Sequence, residues 1–262
     1  LVGSEMCIRD RAAPVLDLVL PAMSEASANL IGQRLRQRMS HLHPHIESTV
    51  SFVPEKGRCK APRIKPSWRE LVLIPVNATH LHYSPPQLAR HAEDIHRNHH
   101  DLAIRIARPT GPVPALLNLV DARLRLAAHR AHAQELDSLV LSTPDGGDPR
   151  GAAMLSKLTR LWSQHHHLPV HIATNSGGVT AVEEVVAHLR REGRRHIAVG
   201  SLRICDDETF RAHTHRALRA GAELVSASLG DDPVLAALAF ERYCSAAMGL
   251  VSEPTDDDVI AD

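Results

Sequence analysis

The sequence predicts an α/β fold of two similar lobes, each a four-stranded parallel sheet flanked by helices. Two observations lead to this fold class. Short apolar runs alternate with amphipathic segments along the chain, which is typical of parallel sheets built from right-handed βαβ units. The same order of elements starts again near residue 133, and a spacing of Gly, Pro, Leu and Arg recurs 119 residues later.

The first half contains four apolar or alternating runs that fit strands, separated by segments with helical spacing. The run ELVLIPV is strongly apolar and predicts a buried strand of a parallel sheet. Two consecutive prolines break the chain before the polar helix that follows it. The predicted strands are 15–20, 46–53, 70–76 and 101–107, and the predicted helices are 24–39, 87–99 and 113–129.

The second half repeats this order. One of its helices is predicted to open at Thr180, because Glu183 follows three residues later in the spacing of a capping box. The predicted strands are 136–142, 169–173, 196–201 and 223–228, and the other predicted helices are 149–162, 206–218 and 233–247.

A short motif supports an internal duplication. It follows a strand and opens a helix in both halves, so it lies at the same topological place in each. A turn followed by proline is a common way to begin a helix, but the matching place favours duplication. Gly111, Pro114, Leu116 and Arg123 correspond in spacing to Gly230, Pro233, Leu235 and Arg242. Two such lobes would enclose a cleft, which is a usual place for a ligand.

The chain divides into four predicted segments. Residues 1–11 resemble a translated sequencing adaptor and are expected to be an artefact. The lobes are expected at 12–132 and 133–248, and an acidic tail at 249–262. Residues 12–28 could pass for a signal peptide, but a proline and an aspartate interrupt the apolar run, so a first strand is favoured.

The composition excludes several classes of protein. The 262 residues carry 30 basic and 30 acidic side chains and only 3% aromatic residues, which argues against nucleic-acid binding. No apolar run approaches 18 residues, so no membrane span is expected. The four cysteines are scattered, which suits a reducing cytoplasm, and we expect a cytoplasmic protein. These features leave the oligomeric state open.

Histidine is the unusual residue, with 19 copies. His80 and His82 follow the apolar strand that ends near residue 76, and ligands of open parallel sheets bind beyond the carboxyl ends of strands. They are the candidate metal ligands and catalytic residues, with a surface loop as the alternative. Three other clusters are expected at surfaces or helix ends: His41, His43 and His45; His96, His99 and His100; His165, His166 and His167. His213 and His215 are expected in a helix near the cleft of the second half, as weaker candidates than His82.

The turn at 145–150 has two interpretations. Its glycines and its place before a helix suit a bound carboxylate, while Asp148 and Pro149 suit a capped helix start. No P-loop, dinucleotide fingerprint or G-x-S-x-G motif is present, so nucleotide-dependent and serine-hydrolase chemistry lack their characteristic residues.

The second half resembles the sirohydrochlorin chelatases, the small class II cobalto- and ferrochelatases of cobalamin and siroheme synthesis. The segments that carry the resemblance are LVLSTPDGGDPRGA, GRRHIAVGSLRIC and GAELVSASLGDDPVLAALAFERY. The first half is similar through ELVLIPVNATHLH and, less closely, through its opening strand and helix. The resemblance implies two chelatase-like lobes around a tetrapyrrole, a small-molecule partner.

The resemblance also implies a chemistry. A lyase of this family inserts cobalt or iron, a divalent metal substrate, into sirohydrochlorin without an organic cofactor. Two histidines of one lobe bind the metal and accept protons. His82, or His80 with a different gap, matches one of them. Pro21 stands near the position of the other, so half of the pair is missing.

Two hypotheses follow from the sequence. The first is a chelatase that uses His80 and His82 to insert cobalt or iron into a tetrapyrrole. The alternative is a non-catalytic relative that binds a tetrapyrrole or a metal, or that supports a partner enzyme. Arg63, Lys65, Arg69 and Arg203 are candidate contacts for substrate carboxylates, with ordinary surface charge as the favoured interpretation.

Overall fold

A computed structural model describes residues 13–21, 25–53, 61–81, 86–174 and 181–251. Strands and helices alternate throughout these residues, as the sequence predicts. Residues 1–12, 22–24, 54–60, 82–85, 175–180 and 252–262 lie outside this description. They include the adaptor-like segment, part of the connection between the second and third predicted strands, His82, Thr180 and most of the acidic tail.

The first half contains four strands and three helices within the described residues. The strands are β1 (Val15–Pro21), β2 (Ser48–Val53), β3 (Glu70–Pro75) and β4 (Ala103–Ile106), and the helices are α1 (Glu25–Leu42), α2 (Pro86–Asn98) and α3 (Pro114–Ala131). The strands form one parallel sheet in the order β2-β1-β3-β4.

The second half has the same plan with one more helix. Its strands are β5 (Ser138–Thr143), β6 (Val170–Thr174), β7 (Ile197–Ser201) and β8 (Leu224–Val225), and its helices are α4 (Pro149–His166), α5 (Val182–Arg191), α6 (Glu208–Arg219) and α7 (Pro233–Val251). The order β6-β5-β7-β8 is parallel and repeats that of the first sheet. The predicted fold class is therefore confirmed.

Two details differ from the sequence predictions. Ala181, which makes no side-chain cap, is the N-cap of α5, so this helix begins later than the predicted start at Thr180. Strand β8 has two residues, although six were predicted, because only Ala198 and Val199 of β7 pair with it. None of the described helices is long and apolar enough to cross a membrane.

The last helix of each half packs on the other half's sheet. Helix α3 follows β4 but contacts β7 and β8, and helix α7 follows β8 but contacts β3 and β4. This exchange buries apolar residues of both halves in one continuous core. It includes Leu116 and Leu235, the matching leucines of the repeated motif, both fully buried. The predicted division at residue 132 separates the two sheets, and α3 and α7 cross it.

The repeated motif forms matching contacts at the two crossings. Arg123 of α3 donates from Nη2 to the carbonyl oxygen of Leu229 at 2.9 Å. Arg242 of α7 donates from Nε to the carbonyl oxygen of Pro109 at 3.1 Å. Gly111 and Gly230 have φ angles of 73° and 65°, a region that favours glycine. The conformations and the arginine contacts agree with the duplication that the spacing predicts.

A buried carboxyl group interrupts the apolar core of the first sheet. Asp17 in β1 is fully buried, on the same face as Val15 and Val19, which pack in the apolar layer beneath α2. Ser51 of β2 donates to its Oδ2 at 2.5 Å, whereas its Oδ1 has no hydrogen-bond partner in the described part of the chain. Burial raises the pKa of Asp17 to about 7, and the Ser51 hydrogen bond only partly offsets this effect.

Candidate functional site

The candidate site lies where the carboxyl ends of the two sheets face each other. In each sheet the two central strands lead to connections that run in opposite directions, and ligands of open α/β sheets bind at such points. The segment 76–81 follows β3 at this place in the first sheet, and the segment 144–148 follows β5 in the second. Hydrogen bonds join the two segments directly.

Asn77 gives the first segment its shape. Its side-chain Oδ1 accepts hydrogen bonds from the backbone nitrogens of Thr79 and His80, at 2.7 and 2.9 Å. Its backbone carbonyl accepts from Gly111 nitrogen at 2.8 Å and from the Thr110 hydroxyl at 2.8 Å. Asn77 and Thr79 are buried, so these bonds are shielded from water and fix the backbone that carries His80.

The second lobe holds the same segment from the other side. The Thr79 hydroxyl donates to Oδ1 of Asp145 at 2.5 Å, and Leu81 nitrogen donates to Oδ1 of Asp148 at 3.0 Å. Asp148 also caps α4 by accepting from Gly151 nitrogen at 2.7 Å. The turn at 145–150 is thus a capped helix start that also binds the neighbouring loop, and these contacts give no support to the carboxylate-binding interpretation.

Two glycines let the Thr79 backbone approach helix α4. A Cβ atom on Gly147 would lie 2.3 Å from the Thr79 carbonyl oxygen, and one on Gly151 would lie 2.0 Å from it. Gly147 also has a φ of 69°. The carbonyl oxygen, which carries partial negative charge, therefore rests against the positive N-terminal end of α4. The sequence predicted that these glycines would allow an anion to approach the helix start. In the structure they allow a peptide carbonyl to approach it instead.

His80 is mostly covered, with 19% of its side chain exposed. Among the residues that the structure describes, the ring makes its hydrogen-bond contacts through Nδ1, which lies 3.2 Å from Oδ1 of Asn77 and 3.2 Å from Oγ1 of Thr79. The amide oxygen of Asn77 can only accept a hydrogen bond. Thr79 has one hydroxyl hydrogen, and its shortest contact is to Asp145, which leaves a lone pair for His80.

These contacts assign the proton of the neutral His80 ring to Nδ1. Nε2 then carries the lone pair, which is the form that binds a metal ion or accepts a proton. No group in the described part of the chain bonds Nε2. The structure therefore brings together His80, Asn77, Thr79 and Asp145, of which the sequence predicted His80 as a site residue and treated Asp145 as part of a turn.

The second predicted ligand lies outside the described residues. His82 follows Leu81, the last residue described before the gap, and residues 22–24 after β1 lie outside as well. Within the ranges that are described, no three His, Cys, Asp or Glu side chains converge as a metal site would require. The assignment of His80 and His82 as metal ligands accordingly stays a prediction.

The other histidine clusters make contacts with residues that are not part of the candidate site. The ring of His43 stacks on Phe240 at 3.4 Å between centroids, where α1 ends. His96 and His100 meet edge to face at 5.9 Å and are exposed. His166 of α4 contacts Oδ1 of Asp121 at 2.6 Å through Nε2. None of these lies at the carboxyl ends of the strands, as the sequence predicts.

His213 lines a small polar cavity in the second lobe. The cavity has about 10 Å³, room for about one water molecule, and its other polar lining residues are Ser142, Ser201, Arg203 and Thr214. Burial and the nearby Arg203 and Arg216 lower the pKa of His213 to about 4, so the ring is neutral near pH 7. A tetrapyrrole does not fit this volume.

Two of the basic candidates already have acidic neighbours. Arg203 is mostly buried and lies 3.9 Å from Asp207. Lys65 pairs with Glu47, at the edge of the first sheet. The exposed Lys65 pair agrees with the ordinary surface charge that the sequence favoured, whereas Arg203 is too buried for that interpretation.

Solved structures share this two-lobed architecture. SirB from Bacillus subtilis with Fe³⁺ has a TM-score of 0.68 and 12% identity, over 91% of this chain and 97% of SirB. SirB from Bacillus subtilis subspecies spizizenii in complex with cobalt has a TM-score of 0.62 and 11% identity, over 90% and 96%. CbiX, the terminal enzyme of siroheme biosynthesis in denitrifying bacteria, has a TM-score of 0.55 and 17% identity, over 89% and 99%.

Comparisons by sequence give no match, since neither a family model nor a curated protein is detectably similar to this chain. The structural likeness at 11–17% identity shows the fold. The chain has the two-lobed fold of the sirohydrochlorin chelatases, and the fold that the resemblance implied is confirmed.

Proposed function

We propose that this protein inserts a divalent metal, cobalt or iron, into a tetrapyrrole of the sirohydrochlorin class. The observation that carries the proposal is the state of His80, a mostly covered imidazole at the carboxyl end of β3. Its Nδ1 is hydrogen-bonded, and its Nε2 has no hydrogen-bond partner among the described residues. It occupies the cleft of a fold shared with proteins solved with Fe³⁺ and with cobalt.

Metal insertion needs a ligand that delivers the ion and a base that accepts two protons from the pyrrole nitrogens. The lone pair on Nε2 of His80 can serve as the ligand. Once the metal has moved to the ring, the same lone pair can accept one of the released protons, because imidazole titrates near neutral pH. His82, two residues further along, is the second candidate ligand, and water is the acceptor for the remaining proton.

A second function is favoured by a different observation. Pro21 ends β1 near the position where the resembling family has its other histidine, and no three-ligand group is present among the residues that the structure describes. A relative that binds the tetrapyrrole or the metal without inserting it would need His80 for orientation only. This alternative predicts binding without acceleration.

The test is metal insertion by the purified full chain. Sirohydrochlorin and cobalt(II) or iron(II) are mixed with the protein, and the absorbance change of insertion is followed against a protein-free control. We expect acceleration by the native chain and a loss of about 100-fold or more in His80→Ala, the size typical for a general base. His82→Ala should also slow insertion.

The matched control is His100→Ala, which removes an exposed histidine outside the cleft and should leave the rate unchanged. Tetrapyrrole binding without acceleration would favour the non-catalytic alternative. If the native chain accelerates insertion, a rate that His80→Ala does not lower would contradict the role of His80.

A further inference from the structure

We propose that Asp145, which belongs to the second lobe, is a positioning residue that sets the tautomer of His80 in the first lobe through the hydroxyl of Thr79. The inference rests on the proposed function for its purpose, since it explains why Nε2 would be ready to bind a metal. Its physical content concerns the metal-free protein alone.

The relay depends on the single hydrogen of the Thr79 hydroxyl. Oγ1 of Thr79 lies 2.5 Å from Oδ1 of Asp145, 3.0 Å from Oδ1 of Asn77 and 3.2 Å from Nδ1 of His80. A carboxylate oxygen can only accept, so the shortest contact takes the hydrogen. The hydroxyl then faces His80 as an acceptor, which favours a proton on Nδ1.

Asp145 is itself held in place. Its Oδ1 also accepts from Gly147 nitrogen at 2.9 Å, a contact within its own turn. Thr79 is completely buried, so its hydroxyl cannot exchange this partner for water. The carboxylate therefore acts on the ring through one intermediate atom, and it lies 3.8 Å from Nδ1 without a hydrogen bond to it.

Removing the carboxylate should reverse the role of the hydroxyl. Without Asp145, two acceptors lie within reach of the Thr79 hydroxyl, Oδ1 of Asn77 at 3.0 Å and Nδ1 of His80 at 3.2 Å. Oδ1 of Asn77 already accepts from two backbone nitrogens, so the hydrogen is expected to turn toward Nδ1 of His80 and donate to it. That hydrogen bond favours the tautomer with its proton on Nε2, which blocks the lone pair needed for a metal. The Asp145→Asn variant still offers a side-chain oxygen to Thr79, so it should behave as the native protein.

The arrangement also ties the ligand to the contact between lobes. The hydroxyl and the carbonyl of Thr79 both meet the second lobe, at Asp145 and at the start of α4. The proposal therefore implies that the lone pair on Nε2 of His80 is maintained by the contact between the lobes at this edge of the cleft. The second lobe then contributes to the metal site without supplying a ligand.

The test reads the tautomer directly from the ¹⁵N chemical shifts of the His80 ring, in the full chain without metal or tetrapyrrole. Spectra are recorded near pH 8.5, well above the ordinary imidazole pKa of about 6.5. We expect the native chain and Asp145→Asn to carry the proton on Nδ1. In Asp145→Ala the population with the proton on Nε2 should rise several-fold.

A double variant separates the relay from structural damage. Thr79→Val in the Asp145→Ala background removes the hydroxyl that would donate, and Asn77 alone then faces Nδ1, so the proton should return to Nδ1. If the single variant acted by damaging the loop, the double variant should instead show a larger departure from the native spectrum than Asp145→Ala alone. The proposal is overturned if Asp145→Ala leaves the tautomer unchanged, or if adding Thr79→Val fails to restore it.

The outcome is independent of insertion activity. A tautomer that responds as expected in a protein without chelatase activity would uphold the positioning role and reject the proposed function. If the protein inserts metal but the His80 tautomer does not change in Asp145→Ala, only the positioning role of Asp145 is rejected.

Discussion

Replacing the buried Asp17 with asparagine should change how the stability of the protein depends on pH. The pKa of this carboxyl is raised from 3.8 to about 7 in the folded protein because burial in the apolar layer disfavours its charged form. The folded state therefore binds the proton more tightly than the unfolded chain does. The free energy of unfolding must then fall as the pH rises through this interval.

The size of the effect follows from the two pKa values. One pKa unit corresponds to about 1.4 kcal/mol, so the ionisation of Asp17 costs on the order of 4 kcal/mol once the pH is above about 7. This is a large part of the stability of a typical domain, which is about 5–15 kcal/mol. Asparagine keeps the shape and the acceptor for Ser51 and cannot ionise.

The measurement is urea unfolding of both proteins at several pH values between 4 and 8. We expect the stability of Asp17→Asn relative to the native chain to increase with pH, by about 1 kcal/mol per pH unit and about 4 kcal/mol in total. Asp101→Asn, at an exposed position, is the matched control and should show no such trend.

Other groups that titrate in this range contribute equally to the free energy of unfolding of both proteins, so their contributions cancel in the comparison with the native chain. His91 of α2 is buried, and burial lowers its pKa, so its own contribution to stability grows as the pH rises through 6.5. It has the opposite sign to Asp17 and is present in both proteins. A stability difference between Asp17→Asn and the native chain that stays constant from pH 4 to pH 8 would refute the reasoning.

Three further changes test packing and contacts between the lobes, all measured by urea unfolding. Gly151→Ala places a Cβ 2.0 Å from the Thr79 carbonyl oxygen and should cost about 1–3 kcal/mol and, in the insertion assay, slow metal insertion. Gly146→Ala, with no atom of the described residues within 4 Å, should do neither. Gly200→Ala meets Val120 Cγ1 at 2.6 Å and should cost about 1–3 kcal/mol, recovered in part by adding Val120→Ala. Arg242→Ala removes the charge-assisted bond to Pro109 and should cost about 1–3 kcal/mol, so an unchanged midpoint would contradict the role of this contact.

Much of the fold could be predicted because local patterns determine it. The run at 70–76 is apolar without alternation, which only a strand covered on both faces tolerates, and Leu71 to Ile74 are fully buried. The matching glycines at 111 and 230 indicated the internal duplication of the two halves. The exchange of α3 and α7 could not be predicted, because each helix buries the same apolar face whichever sheet receives it.

The site was predicted only in part, for a related reason. His80 could be named as a candidate because it follows a strand of the predicted parallel sheet, and its role stays a prediction. The contact between Thr79 and Asp145 joins residues 66 positions apart, in different lobes, and no local pattern indicates it. The helix start at Thr180 was wrong because a capping-box spacing is satisfied by many sequences, and here Ala181 takes the N-cap position.

The location of cobalt in crystals grown with it tests the proposed metal site most directly. Anomalous scattering at the cobalt edge identifies the ion without reference to activity. We expect cobalt within about 2.2 Å of Nε2 of His80, the distance typical of a metal bound by imidazole. Cobalt found only on exposed histidines such as His96 and His100, with His80 unoccupied, would contradict a metal site in the cleft.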